Sequence, residues 1–317
     1  MTGRVLDISE SDYEADKFFD DFPTLRSSIC WKLIERGSTP RHAWYASPRL
    51  NPNFEQEHRK IFDKGAAAHA LLLGKGKQFQ IIKCPNYMTK EARSLRDAAY
   101  AEGKIPLLEK DYQEAVAMAD AARDQLSQLV EHGTLSVMPF GKEETERVLI
   151  WEDRGVWCRA RVDHLPNDGE ILLEYKSSAA SAAPELFPYR NFRQLGYDCQ
   201  VAFYRRGLEA CGVATSPQIA ICVQENYPPY LMSYNRIDDE VLMRANEKIE
   251  RALKIWRGCL ESGEWPGYSA AGYDINLTER ERAEMDAAHA ANGASGSHVT
   301  SEDVAATVNT PSNLFRK

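Results

Sequence analysis

Between residues 147 and 176 the chain places three short β-type runs in close succession, and this most restricts its fold. Arg147-Val148-Leu149-Ile150-Trp151-Glu152 is rich in β-branched and aromatic residues and closes on Asp153-Arg154-Gly155. Val156 to Asp163 alternates apolar with polar side chains, the period of a half-buried strand. Pro166-Asn167-Asp168-Gly169 has turn chemistry, and Glu170 to Lys176 forms a third run. Three strands joined by tight turns predict an antiparallel meander.

Helical patterns surround it. An apolar stripe at Ile29, Leu33 and Ile34 follows Ser27-Ser28, and Pro48 and Pro52 then punctuate a loop. Longer helices are expected over about 55–73 and 109–131, the second with core positions Tyr112, Val116, Ala119, Leu126 and Leu129. After the meander come a helix from about Phe192 to Leu208, a strand at Gln218–Gln224, an extended piece at Tyr230–Tyr234 and a helix over about 238–261. The order gives one α/β domain over 1–268, with a helical N-terminal elaboration. From Ala270 the composition turns to Ala, Ser, Asn, Thr and Gly, so 269–317 reads as a low-complexity, largely flexible tail with a short helix near 278–290.

Composition bounds the chemistry. With 39 basic and 47 acidic residues the net charge is −8, which argues against a general polyanion binder. The longest apolar run is well short of the ~20 residues of a membrane span, and the N-terminus lacks a basic-then-apolar leader, so a cytoplasmic protein is expected. Seven cysteines are widely spaced without a CxxC pair, which disfavours a thiolate metal cluster.

Chemistry concentrates between Asp163 and Lys176. Glu174 and Lys176 stand two apart on one strand and share a face, and Asp163 ends the strand before it. Two carboxylates beside an ammonium suit a hard divalent cation, with the lysine available to a water or a phosphate. A solvated strand face would show the same Glu-x-Lys spacing. His69, among Ala and Leu, is by itself an ordinary core histidine, and Gln200 with Tyr204 an ordinary helix face.

In this order the residues resemble the PD-(D/E)xK nucleases, and more specifically the RecE-type phage and prophage exonucleases related to exodeoxyribonuclease VIII. The likeness is carried by Ile8–Tyr13, Ser27-Ser28, Pro40–Trp44, Gly65–Leu73 around His69, Cys158–Asp163, Glu174-Tyr175-Lys176, and Gln200-Val201-Ala202-Phe203-Tyr204. It implies a mixed sheet with an antiparallel meander flanked by helices. It also implies Mg²⁺, or Mn²⁺, on His69, Asp163, Glu174 and the Tyr175 carbonyl. Lys176 would meet the attacking water or the scissile phosphate, and Gln200 and Tyr204 would orient it or bind phosphate. Arg159, Arg161, Arg193 and Arg205 are candidate DNA contacts, beside Arg190 and Arg206; on a strand or helix surface each is equally an ordinary polar residue. The implied activity is digestion of duplex DNA ends, 5′→3′, leaving a 3′ strand for a RecT-like annealing protein, by a homo-oligomer. The alternatives are a RecB-like or restriction-type nuclease and a catalytically silent DNA-binding scaffold.

Overall fold

A computed structural model describes residues 3–6, 8–54, 60–76, 78–141, 143–165, 171–188, 192–213, 218–272 and 274–294. The chain divides into two compact units, Met1–Gly267 and Tyr268–Lys317. The second contains α9 (Glu279–Ala294), an amply charged helix without an apolar stripe. The expectation for 295–317 lies outside the described residues.

The first unit opens with β1 (Gly3–Leu6), α1 (Glu10–Glu14), β2 (Leu25–Arg26), α2 (Ser27–Lys32) and α3 (Pro40–Tyr45). Next come α4 (Lys60–Leu73), β3 (Phe79–Ile82), α5 (Lys90–Ala101), β4 (Ile105–Leu108) and α6 (Glu109–Glu131). The meander follows as β5 (Thr145–Asp153), β6 (Val156–His164) and β7 (Ile171–Ser178). After α7 (Tyr197–Ala210) come β8 (Gln218–Glu225), β9 (Met232–Arg236) and α8 (Asp239–Ser262).

Seven strands form one mixed sheet in the order β1-β5-β6-β7-β8-β9, with β2 added beside β6. The hairpin between β5 and β6 turns on Arg154 and Gly155 at φ 53° and 78°, the two positive values that a two-residue turn matching the strand twist requires. β7 runs parallel to β8 from Ile171↔Gln218 to Ser178↔Glu225, so the chain must cross over between them, and α7 is that crossover. On its far side β6 is shared: β2 pairs in parallel at Leu25↔Cys158 and Arg26↔Arg159, and β7 pairs antiparallel at His164↔Leu173.

Helices cover both faces. Leu172 joins Leu25, Trp151, Phe203 and Trp256 in a core shared with α2, α7 and α8. Its neighbours Leu173 and Tyr175 join Ala67, Leu73 and Met118 in a second core against α4 and α6. The strand that bears the Glu-x-Lys pair is therefore buried on both sides, as strands with a parallel neighbour usually are.

Several expectations need correction. The N-terminal elaboration is not purely helical, because β1 and β2 complete the sheet. Residues 79–108 form an additional β3–α5–β4 unit with a parallel two-stranded sheet. On α6 the buried face is Ala115, Met118, Ala119, Ala122 and Leu126, whereas Val116 is partly exposed. The crossover helix starts at Tyr197 rather than Phe192, since Gly196 caps it in a left-handed conformation. Residues 166–170, the expected turn, lie outside the described residues. Five of the seven cysteines are buried and all are free. Among the described residues no helix is long and apolar enough to cross a membrane.

α7 meets β5 at Gly207, where a Cβ would stand 2.8 Å from the ring of the fully buried Trp151. Gly207→Val should therefore cost roughly 1–3 kcal/mol by overpacking. Urea denaturation monitored by tryptophan fluorescence reads this directly; a wild-type midpoint would contradict the close approach.

Candidate active site

The sheet opens where β6 and β7 part. Beyond the His164↔Leu173 pair, two backbone amides turn to side chains for partners. The Asp163 N–H donates to Glu174 Oε1 at 3.3 Å, and the Tyr175 N–H donates to Asp163 Oδ2 at 2.9 Å. Each carboxylate thus takes an amide of the opposite strand, satisfying donors that the ladder leaves over. The exchange holds two acidic groups side by side in a buried place.

A helix approaches from each side of the gap. α4 comes close to β7 at Gly65, where a Cβ would lie 2.7 Å from Ser177 Oγ. His69 follows one turn later on the same helix face and sets Nε2 3.1 Å from Asp163 Oδ1. From α7, Gln200 Nε2 donates to Glu174 Oε2 at 3.3 Å and to the Tyr204 hydroxyl at 2.8 Å. Lys176 Nζ donates to the same Glu174 Oε2 at 2.9 Å and stands 5.4 Å from the centre of the Tyr197 ring. The Tyr175 hydroxyl donates to Gln224 Oε1 at 2.5 Å, and its ring centre lies 6.0 Å from that of His69, so its ring backs the imidazole while its backbone faces the gap.

The electrostatics separate the two acids. Burial, and then the Asp163 charge, push the Glu174 carboxyl up to about 7, against the pull of Lys176. Burial also opposes ionisation of Asp163, but His69, through charge and hydrogen bond, then Lys176 and the Tyr175 amide, hold its carboxyl well below the ordinary range. Burial works against a charge on Lys176, yet Glu174 and Asp163 outweigh it and keep its ammonium protonated far above its usual limit. His69 shifts up on balance, because Asp163 outweighs its burial.

The predicted group His69, Asp163, Glu174, Tyr175, Lys176, Gln200 and Tyr204 is therefore assembled around one break in the sheet. Its donors, an imidazole and two carboxylates where β6 and β7 part, are of the kind a divalent cation takes. The oxygens of Glu174 are held by Lys176, Gln200 and the Asp163 amide. Among the described residues no three His, Cys, Asp or Glu side chains already converge on one point.

The arginines behave differently. Arg159 is fully buried, 2.8 Å from Asp16 and hydrogen-bonded to the Thr24 carbonyl and hydroxyl, so it is a core ion pair and not a DNA contact. Arg161 lies within 4.0 Å of Glu10 and Glu14, and both it and Arg159 lie against the Tyr13 ring, 5.2 and 5.3 Å from its centre. Arg205 is held by Glu209 and Asp239 at 3.0 and 2.6 Å, and Arg206 makes a two-bond pair with Asp153. Arg193 is exposed, and Arg190 lies outside the described residues. Tyr197 is a member of the site that the motifs do not include, although its spacing to Gln200 and onward to Tyr204, three and four residues, places all three on one helical stripe.

Arg159→Met should leave Asp16 as an uncompensated buried charge and cost about 3–5 kcal/mol. Adding Asp16→Leu should restore much of the loss. Thermal unfolding of both variants checks this, and a wild-type midpoint in the single variant would refute the pairing.

Residues 41–274 match the family model described as "PDDEXK-like domain of unknown function (DUF3799)". The fold is also similar to a crystal structure from Eubacterium rectale described as a "putative exonuclease", with a TM-score of 0.54. Sequence identity there is 12%, and the superposition covers 96% of this chain and 100% of that one. No curated protein matches the chain.

Proposed function

The chain belongs to the PDDEXK-like family whose model spans most of it, and from that premise we propose that it is a divalent-metal-dependent nuclease acting on the ends of duplex DNA. The observation that carries the reading is the break between β6 and β7. There Asp163, Glu174 and Lys176 meet, closed by His69 from one side and Gln200 from the other. Preference for ends, 5′→3′ direction, supply of a 3′ strand to a RecT-like annealing protein and assembly as a homo-oligomer are parts of the proposal that rest on the RecE-type resemblance.

His69, Asp163, Glu174 and the Tyr175 carbonyl would hold Mg²⁺ or Mn²⁺. When bound, such an ion supplies an acidified water and neutralises charge on the phosphate. The protein's own groups do the rest. Lys176, kept protonated by the two carboxylates, can donate to the attacking water or to a phosphate oxygen as negative charge grows there. Gln200 fixes the Glu174 carboxylate through its amide and is itself fixed by Tyr204. The hydroxyl of Tyr204 is held neutral by burial and by the nearby Glu174 charge.

Linear duplex, covalently closed circles and Mg²⁺ form the deciding assay. The wild type should release nucleotides from linear duplex and spare circles, and Lys176→Ala should lose on the order of 10²–10³-fold in rate. Full activity in Lys176→Ala would sink the catalytic assignment, and cleavage of circles would replace the end-dependent enzyme with an endonuclease. Mn²⁺ at about 100 times its Kd should stabilise the wild type by about 2.7 kcal/mol. A calorimetric scan should show this rise much reduced in Asp163→Asn; an equal rise there would remove Asp163 from the ligand set.

A further inference from the structure

The corner formed by α2 and α3 carries a cleft of about 530 Å³ that the proposed hydrolysis does not use. Lys32, Arg41, His42, Trp44, Tyr45 and Asn51 line it, and no Asp or Glu is among its described lining residues. Two cations, an imidazole and two large aromatics thus share one cleft, with Lys32 also 3.7 Å from Glu35 beside it.

The cleft is held firmly. Asn51, 3% exposed, donates to the Tyr45 carbonyl at 3.0 Å and accepts from the Asn53 N–H at 3.0 Å. The Thr39 N–H donates to His42 Nδ1 at 3.0 Å, and the Arg41 N–H donates to the Pro266 carbonyl at 3.1 Å. On this backbone the Arg41 guanidinium lies 4.3 Å from the centre of the Trp44 ring, while Tyr45 is left 67% exposed. A large ring kept in water on a fixed frame, next to cations, is a stacking platform with electrostatic flanks.

The helix that gives Lys32 to the cleft, α2, also packs on α7, which carries Gln200. Trp31, the neighbour of Lys32 on α2, packs against Gly196, whose carbonyl accepts from the Gln200 N–H at 2.9 Å. Gln200 in turn donates to Glu174. We infer that the cleft binds single-stranded nucleic acid: Tyr45 and Trp44 stack on an unpaired base while Arg41 and Lys32 take the adjoining phosphates. A base paired within a duplex has no face to offer such a platform. The inference rests on the nuclease reading for its substrate class and adds a separate subsite for the unpaired strand.

Fluorescence anisotropy with a labelled oligothymidylate of about 15 nucleotides, in EDTA so that the probe survives, tests this. Tyr45→Ala removes an exposed ring and should leave the circular dichroism unchanged. It should weaken binding on the order of tenfold, with duplex of equal length bound as by wild type. Arg41→Glu should lower the slope of log affinity against log salt by about 0.7 for each phosphate that the arginine no longer neutralises. Wild-type affinity for the oligonucleotide in both variants would overturn the inference. So would displacement of the probe by thymidine monophosphate at equal concentration, which would assign the cleft to a free nucleotide. The nuclease reading is judged separately, by hydrolysis in the wild type and Lys176→Ala. Absent hydrolysis with Tyr45-dependent binding would leave the cleft standing and remove the enzyme; hydrolysis with Tyr45-independent binding would do the reverse.

Discussion

Two carboxylates that trade backbone amides across a gap in the sheet set the conditions for the rest of the molecule. Asp163 and Glu174 are each anchored by the other strand, so neither can turn away to solvent without stranding a buried donor. Like charges fixed that close require positive partners near at hand. The structure supplies Lys176 from the same strand and His69 from α4, and the two acids separate in their readiness to ionise. The gap itself is a sacrifice of ladder hydrogen bonds, which a strand buried on both faces can sustain because the two cores on either side of β7 hold it in place.

Positive charge is divided between two uses. Arg159, Arg205 and Arg206 are bound to carboxylates and hold elements together: α7 to β5 through Arg206 and Asp153, α7 to α8 through Arg205 and Asp239. Lys176 in the sheet gap and Arg41 and Lys32 in the aromatic cleft line the two proposed ligand sites, Lys176 and Lys32 each beside a carboxylate, Glu174 and Glu35. This arrangement reconciles a net charge of −8 with an anionic substrate, since the overall charge governs long-range attraction and the site needs its own lining only.

The site is more legible in the sequence than its frame. Period-2 alternation places Glu174 and Lys176 on one face because that relation is local, whereas the place of His69 and Gln200 beside them is implied by the RecE-type resemblance and not by any period. The extent of α6 is readable from its unbroken helical pattern, and it spans Glu109–Glu131 as expected. What escapes is non-local. Two-residue β2 has no periodicity to detect, and its partner lies more than a hundred residues away. The same distance hides the fate of Arg159: its position in an alternating strand reads as the polar face until Asp16 and Thr24 are brought to it. β3 and β4 are four residues each, too short for a pattern to separate them from loop.

The strand that carries Asp163, β6, is completed by the start of the chain. β2 supplies part of its edge, and Asp16 and Thr24 both take Nη1 of the guanidinium that β6 drives into the core. The family match begins at residue 41, downstream of all three. A fragment trimmed to residues 41–274 would keep every proposed metal ligand and yet lose Asp16 and Thr24, the polar partners of Arg159, together with the β2 edge of β6.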